Sequence, residues 1–197
     1  MENDNIQIKL IVIGNLNVGK TSIINQYISG TFDPKQSSTI GTLDYQQKHL
    51  KIEATDIKLI IFNSTGLENY SLPSSYLRNV NGIIIVFDLT DKKTLESLRF
   101  WINEVKKSNT DDVVIAFAGN KSDLEEDIEI EEEEIRETIE ELGSFGNYYQ
   151  TSAKSGRGVK QMFNAVIKEI MRELKPPETM SFSLKYTKRQ IKDEKCC

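Results

Sequence analysis

Residues 14–21 read Gly-Asn-Leu-Asn-Val-Gly-Lys-Thr, the complete G-x-x-x-x-G-K-[ST] spacing of a phosphate-binding loop. Glycines at both ends let the backbone curl until its N–H groups converge on phosphate oxygens. Contacts to a nucleotide are therefore expected from Asn17, Val18, Gly19, Lys20, Thr21 and Ser22. The Lys20 ammonium would reach the β- and γ-phosphates, and the Thr21 hydroxyl would ligate Mg²⁺. An ordinary glycine turn is the competing explanation. The apolar strand-like run Ile6–Ile13 directly before the loop, and a helical stretch running to Ser29 directly after it, argue against that.

Two further segments carry chemistry suited to a base. Asn120-Lys121-Ser122-Asp123 follows the strand-like Val113–Gly119 without a gap. A carboxylate at Asp123 can accept from guanine N1–H and its 2-amino group, a donor pair that adenine lacks. A site built this way rejects adenine because its buried acceptors would be left unpaired. Thr151-Ser152-Ala153-Lys154 closes the next strand and fits a second guanine-contacting loop through Ser152, Ala153 and Lys154. Either tetrapeptide alone is also a plain strand-to-loop turn. Their order behind a phosphate loop makes the signal specific.

Elements that can position these segments alternate along the chain. Strands are expected at Ile6–Ile13, Asp44–Ile52, Ile57–Asn63, Gly82–Leu89, Val113–Gly119 and Asn147–Thr151. Helices are expected at Lys20–Ser29, Lys92–Lys107, Glu131–Leu142 and Val159–Leu174, with a short irregular piece near Ser74–Arg78. In Val159–Leu174 the apolar residues recur at helical spacing from Val159 through Met162, Phe163, Val166, Ile167 and Ile170. Such alternation implies an α/β fold: a doubly wound six-stranded sheet, mostly parallel, with helices on both faces. The short link between Asp44–Ile52 and Ile57–Asn63 makes that pair a hairpin and supplies one antiparallel strand. Trp101, between Phe100 and Ile102, reads as packing, and the single His49 as structural.

Bulk properties narrow the function classes. A chain of 197 residues suits one domain with a full core, expected over residues 1–174, plus a tail over 175–197 that Pro176-Pro177 opens. The tail is polar and lysine-rich with no core to join, and is expected to be flexible. No apolar run approaches the roughly 18 residues needed to span a bilayer, and the acidic start resembles neither a signal nor a transit peptide. Both cysteines, Cys196 and Cys197, close the tail, so the body holds no disulfide and a cytoplasmic setting is expected. The net charge of −5 conceals a segment, Leu124–Leu142, with eleven acidic residues against Arg136 alone. Ile135, Ile139 and Leu142 supply that segment's buried side, so it reads as a solvated acidic face. No basic stripe with interleaved aromatics exists, and nucleic-acid binding has no support.

With these motifs in this order, the chain resembles the Rab family of Ras-superfamily small GTPases, over about residues 6–174 plus the terminal Cys-Cys. Matching stretches include Ser38-Thr39-Ile40-Gly41 for switch I, Glu68 to Arg78 for switch II, and Phe87-Asp88-Leu89-Thr90. The resemblance implies GTP/GDP and Mg²⁺ as cofactors, with guanine contacts at Asn120, Lys121, Asp123, Ser152, Ala153 and Lys154. It implies that Thr39 ligates Mg²⁺ and senses the γ-phosphate, that Phe32 packs edge-on against guanine, and that the Gly66 N–H meets the γ-phosphate. Thr31-Phe32-Asp33 and Val159–Phe163 are most similar to the Golgi-associated branch. Cys196-Cys197 resembles the family's double-prenylation signal, and two isoprenoids give the two anchoring signals that stable membrane attachment requires. Two free thiols are the alternative. The implied setting is the cytoplasmic face of an endomembrane such as the Golgi. Implied partners are effector proteins, an exchange factor, a GDP-dissociation inhibitor and the prenylation machinery, acting on a monomer.

The chain departs from the family pattern at one centre. Asn63-Ser64-Thr65-Gly66-Leu67-Glu68 stands where the family reads Asp-x-Ala-Gly-Gln-Glu. Leu67 replaces the glutamine that orients the attacking water, and an isobutyl group can neither donate nor accept. Asn63 replaces the aspartate that holds a Mg²⁺-bound water, keeping an acceptor and losing the charge. Leu16 would crowd the γ-phosphate and obstruct an arginine finger. The related Ras turns over unaided at roughly 3–5 × 10⁻⁴ s⁻¹, a half-life of roughly half an hour. Losing an orienting donor typically removes about 10²-fold, and even a roughly tenfold loss means hours. The expectation is a switch in vesicle-mediated transport that binds GTP and hydrolyses it very slowly, through Lys20, Gly66 and the disabled Leu67. Thr65 replaces a small alanine, and its hydroxyl reads as bonded to nearby backbone, with attack on the γ-phosphate as the alternative. The competing functions are a normally cycling Rab GTPase, a P-loop kinase or ATPase, and a nucleotide-independent scaffold.

Overall fold

The computed structural model describes residues 5–36, 44–64, 74–108, 113–143 and 146–174. Six strands form one sheet: β1 (Asn5–Gly14), β2 (Asp44–Ile52), β3 (Thr55–Asn63), β4 (Gly82–Asp88), β5 (Val114–Asn120) and β6 (Asn147–Gln150), in the order β2-β3-β1-β4-β5-β6. Only β2 and β3 pair antiparallel; β1 runs parallel to both β3 and β4, and β4, β5 and β6 continue in parallel. The expected sheet is the observed one. The hairpin is tighter than the sequence suggested, because Ile52 pairs with Thr55 and Glu53 takes a left-handed turn at φ 57°.

The helices are α1 (Lys20–Ser29), α2 (Ser74–Leu77), α3 (Lys92–Glu96), α4 (Leu98–Lys107), α5 (Glu132–Glu141) and α6 (Val159–Leu174). Alternate residues of each central strand serve opposite faces, which is why those strands are almost wholly apolar. Ile8, Leu10 and Val12 of β1 and Ile84 and Val86 of β4 pack beneath α1 and α6. Ile11, Ile13, Ile83, Ile85 and Phe87 pack beneath α4 and α5, with Leu77 of α2 and Leu95 of α3 in the same layer. On α5, Ile135 and Ile139 face this core and the glutamates face solvent, as the periodicity implied. His49 is exposed on the outer strand β2, opposite Lys58.

One helix differs from expectation. Lys92–Lys107 is two helices that break at Ser97. The Ser97 hydroxyl donates to the Lys93 carbonyl at 2.7 Å, while the Ser97 N–H bonds the same carbonyl at 3.1 Å. Ser97 keeps right-handed helical dihedrals and its carbonyl still accepts from the Trp101 N–H at 3.2 Å, so α3 and α4 meet at a local irregularity.

The chain leaves β1 toward β2 and β3 on one side and reaches β4 on the other. In open α/β sheets, such a reversal opens a crevice beyond the carboxyl ends of the strands. Loops following β1, β4, β5 and β6 meet there.

Candidate functional site

The phosphate loop is shaped by contacts that only glycine permits. Gly14 has φ 140°, and a Cβ there would sit 2.1 Å from the Val86 carbonyl oxygen. Gly19 has φ 94°, and its Cβ would meet Asn120 Nδ2 at 2.3 Å. Lys20, almost wholly buried, arches back so that Nζ donates to the carbonyls of Gly14 at 2.9 Å and Asn15 at 2.7 Å. No side chain caps the N-terminus of α1, so its first N–H groups and helix dipole point into the loop. Beside it, Asn63 Nδ2 donates to Thr21 Oγ1 at 2.8 Å, which joins the end of β3 to the first turn of α1.

Farther along the crevice the base end is assembled by hydrogen bonds between loops. Asn120, buried at the end of β5, donates through Nδ2 to the Val18 carbonyl at 2.8 Å. Its Oδ1 accepts from the Ala153 N–H at 3.1 Å. One side chain thus ties the phosphate loop to the loop after β6. Asp123 Oδ1 accepts from the Ser152 hydroxyl at 2.6 Å, and Lys154 Nζ lies 3.6 Å from Oδ2. A carboxylate has about four acceptor directions, so the carboxylate keeps capacity for the two donors on a guanine edge. Lys121 holds a left-handed backbone at φ 65°, and its ammonium pairs with the buried Asp88. A cleft of about 340 Å³ lies among Gly19, Phe32, Asn120, Lys121, Asp123 and Lys154, with Asn17, Ser22 and Ala153 also in its wall. The shape and the donors and acceptors fit a purine nucleoside whose phosphates run toward Lys20.

Residues 9–172 match the family model described as "Ras family". The chain is 34% identical over 171 residues to Ras-related protein Rab-19 of Rattus norvegicus, covering 86% of this chain and 78% of that protein. It is 33% identical over 170 residues to Ras-related protein Rab5 of Nicotiana tabacum, covering 86% and 84%. To Ras-related protein Rab-21 of Geodia cydonium it is 34% identical over 173 residues, covering 87% and 74%.

The chain belongs to the Rab family of Ras-superfamily small GTPases.

As a Rab-family protein it is a GTP-binding switch and, by family, a GTP hydrolase. The structure brings the expected residues Asn17, Gly19, Lys20, Thr21, Ser22, Phe32, Asn63, Asn120, Lys121, Asp123, Ser152, Ala153 and Lys154 to one crevice, and Val18 joins them through its carbonyl. Leu16 stands exposed on the loop. Thr39, Thr65, Gly66, Leu67, Cys196 and Cys197 lie outside the described residues.

Whether the chain's residues suit Mg²⁺ can be judged from Asn63. Its Oδ1 is buried and without a hydrogen-bond partner, while its Nδ2 donates to the Thr21 hydroxyl oxygen at 2.8 Å. Hard, neutral oxygens of this kind suit Mg²⁺ when phosphates supply the charge. Among the described residues, no three His, Cys, Asp or Glu side chains gather to hold a metal by themselves. The donor set fits a nucleotide-borne Mg²⁺.

Sequence reasoning did not find Asp88, whose carboxylate restrains Lys121, as a contributor to the site. It also gave Trp101 a packing role alone. The indole is 1% exposed, and its Nε1–H donates to Asn15 Oδ1 at 2.7 Å. Asn15 Nδ2 in turn donates to Ser97 Oγ at 2.9 Å. No sequence spacing announces these partners, which lie 86 and 82 residues from Asn15.

Proposed function

We propose that this Rab-family protein is a membrane-marking switch in vesicle-mediated transport whose GTP-bound state is long-lived. The observation that carries the reading is Leu67, an apolar side chain where the family places its water-orienting glutamine. Hydrolysis needs a water held in line with the γ-phosphate, and positioning supplies most of the catalysis in phosphoryl transfer. Lys20 and the backbone of Gly66 would still hold the γ-phosphate, so GTP binds while the attack goes unassisted. Leu16 adds a hydrophobic obstacle on the solvent side of the loop, in the path of an arginine supplied by an activating protein.

Thr21 and Thr39 would hold Mg²⁺, with Asn63 supporting it indirectly and without charge. When bound, the ion neutralises charge between the phosphates. The Asp123 carboxylate reads guanine, Ser152 and Lys154 steady that carboxylate, and Phe32 covers the base. Residues 1–174 form the G domain, and residues 175–197 connect it to lipid groups on Cys196 and Cys197. Membrane attachment is assigned to those groups by analogy with the family; among the described residues no helix is long and apolar enough to cross a bilayer. Residence on an endomembrane of the Golgi type, and dealings with effectors, an exchange factor, a GDP-dissociation inhibitor and the prenylation machinery, follow from family analogy.

Single-turnover hydrolysis of γ-labelled GTP, followed for many hours, tests the reading. Retained GTP supports a long-lived active state. Rapid phosphate release, comparable to an ordinary Rab, would show that another group positions the water and that the protein cycles normally. Label appearing on the protein would identify Thr65 as an acceptor, to be located by mass analysis.

A further inference from the structure

We propose that Ser97 and Trp101, on the face of the sheet opposite α1, are positioning residues for nucleotide retention, acting through Asn15 on Lys20. The proposal rests on the nucleotide-binding reading of the crevice and goes beyond it.

Asn15 is held from two elements at once. Its side-chain oxygen accepts from the Trp101 indole at 2.7 Å, and its side-chain nitrogen donates to Ser97 Oγ at 2.9 Å. Its backbone carbonyl accepts from Lys20 Nζ at 2.7 Å. A shift of Asn15 therefore moves a carbonyl on which the phosphate-loop ammonium rests, as it also rests on that of Gly14. The Ser97 hydroxyl donates to the Lys93 carbonyl at 2.7 Å, which fixes its proton and turns a lone pair toward Asn15. That same bond accompanies the break between α3 and α4, so the irregularity of the helix and the anchoring of the loop share one side chain. An indole N–H buried to this degree needs an acceptor, and the nearest one is a phosphate-loop residue rather than α4 or the sheet. Packing alone asks for the ring of Trp101 but not for its nitrogen.

The dissociation rate of tritiated GDP from the full chain, chased with unlabelled GDP, gives the test. Trp101→Phe keeps most of the ring and loses the donor. Ser97→Ala, at a half-buried position, removes only a hydroxyl. Each variant is expected to release GDP faster by roughly fivefold, the effect of one ordinary hydrogen bond. Ser97→Thr restores an acceptor and is expected to return the rate toward wild type. In the Asn15→Ala background, adding Trp101→Phe is expected to change release little further, because the partner is already gone. Trp101 is the protein's single tryptophan, so its indole N–H resonance can be followed without ambiguity. That resonance is expected to move between the GDP-bound and nucleotide-free forms.

Unchanged GDP release in both Trp101→Phe and Ser97→Ala, with wild type retaining GDP, would overturn the proposal and leave the nucleotide switch standing. Additive effects of Trp101→Phe and Asn15→Ala would likewise reduce Trp101 to a packing residue. Wild-type protein that does not retain GDP would overturn the nucleotide reading and this inference with it. Should Trp101→Phe fail to fold, the Ser97→Ala and Ser97→Thr pair carries the decision.

Discussion

The two ends of the crevice are built differently. At the base end, side chains bridge the loops: Asn120 uses both ends of its amide on neighbouring loops, and the Ser152 hydroxyl fixes Asp123, although Ser122 Oγ is buried there without a partner. At the phosphate end, Asn63 Oδ1 and Ser64 Oγ are buried without partners. A network closed on itself is rigid before a ligand arrives, and a half-satisfied one costs free energy until something completes it. The bonds of Asn120 and Asp123 hold the proposed base end together before a ligand arrives. The side that would act on it has lost charge at Asn63 and, in the reading proposed above, a water-orienting group at Leu67. Recognition and hydrolysis are separable in this architecture because they draw on different loops.

The largest expected effect tests the base end. Asp123→Ala should weaken guanine nucleotide by about 10³-fold, since two hydrogen bonds to a charged acceptor are lost. Competition with ATP should at the same time lose most of its preference for GTP. Equal loss of ATP and GTP would mean that Asp123 supports the loop rather than reads the base.

Next comes Leu67→Gln, which restores a group able to orient water. Hydrolysis in single turnover should rise by roughly tenfold to a hundredfold, with GTP affinity little changed. An unchanged rate would assign the slow step to Leu16 or Asn63 instead.

Asn63→Asp is a smaller change at the same end. A carboxylate returns charge beside Thr21 and should slow GDP release in Mg²⁺ by about fivefold, as a charge-assisted contact replaces a neutral one. The readout is the ratio of release rates with and without a chelator, which should rise. No change in that ratio would show that Asn63 has no part in supporting the ion.

Lys154→Ala should matter least, because an exposed ammonium 3.6 Å from Asp123 contributes little in water. GDP affinity is expected to fall by less than about threefold and to lose its salt dependence first. A large loss would move Lys154 from the rim into the recognition network.

Much of the fold was legible because its signals are short-range. An apolar run of strand length, a helix period, a glycine-framed loop and a Pro-Pro stop are each contained within a few residues. The expected boundaries of α1, placed after the phosphate loop, and of α6, read from periodicity, match the structure at Lys20–Ser29 and Val159–Leu174. The break at Ser97 was not legible. At that point a serine side chain bonds one turn back and reaches the phosphate loop, and composition does not encode a rotamer. Asp88 was visible as part of a motif, but its grip on Lys121 joins the ends of β4 and β5 and depends on their register.

The sequence by itself determined the phosphate-loop pattern, the carboxylate proposed to read guanine and the order in which strands deliver them, because each is a local pattern of residue type and backbone freedom. It also shows Asn63 and Leu67, identities that the family resemblance marks as departures and that need no coordinates. Only the tertiary structure decided how the loops hold one another. Asn120 reaching Val18 across 102 positions, and Trp101 reaching Asn15 across 86, follow from sheet order and helix placement. Such bonds are set by where a folded chain brings distant groups within about 3 Å, a distance that sequence separation does not contain.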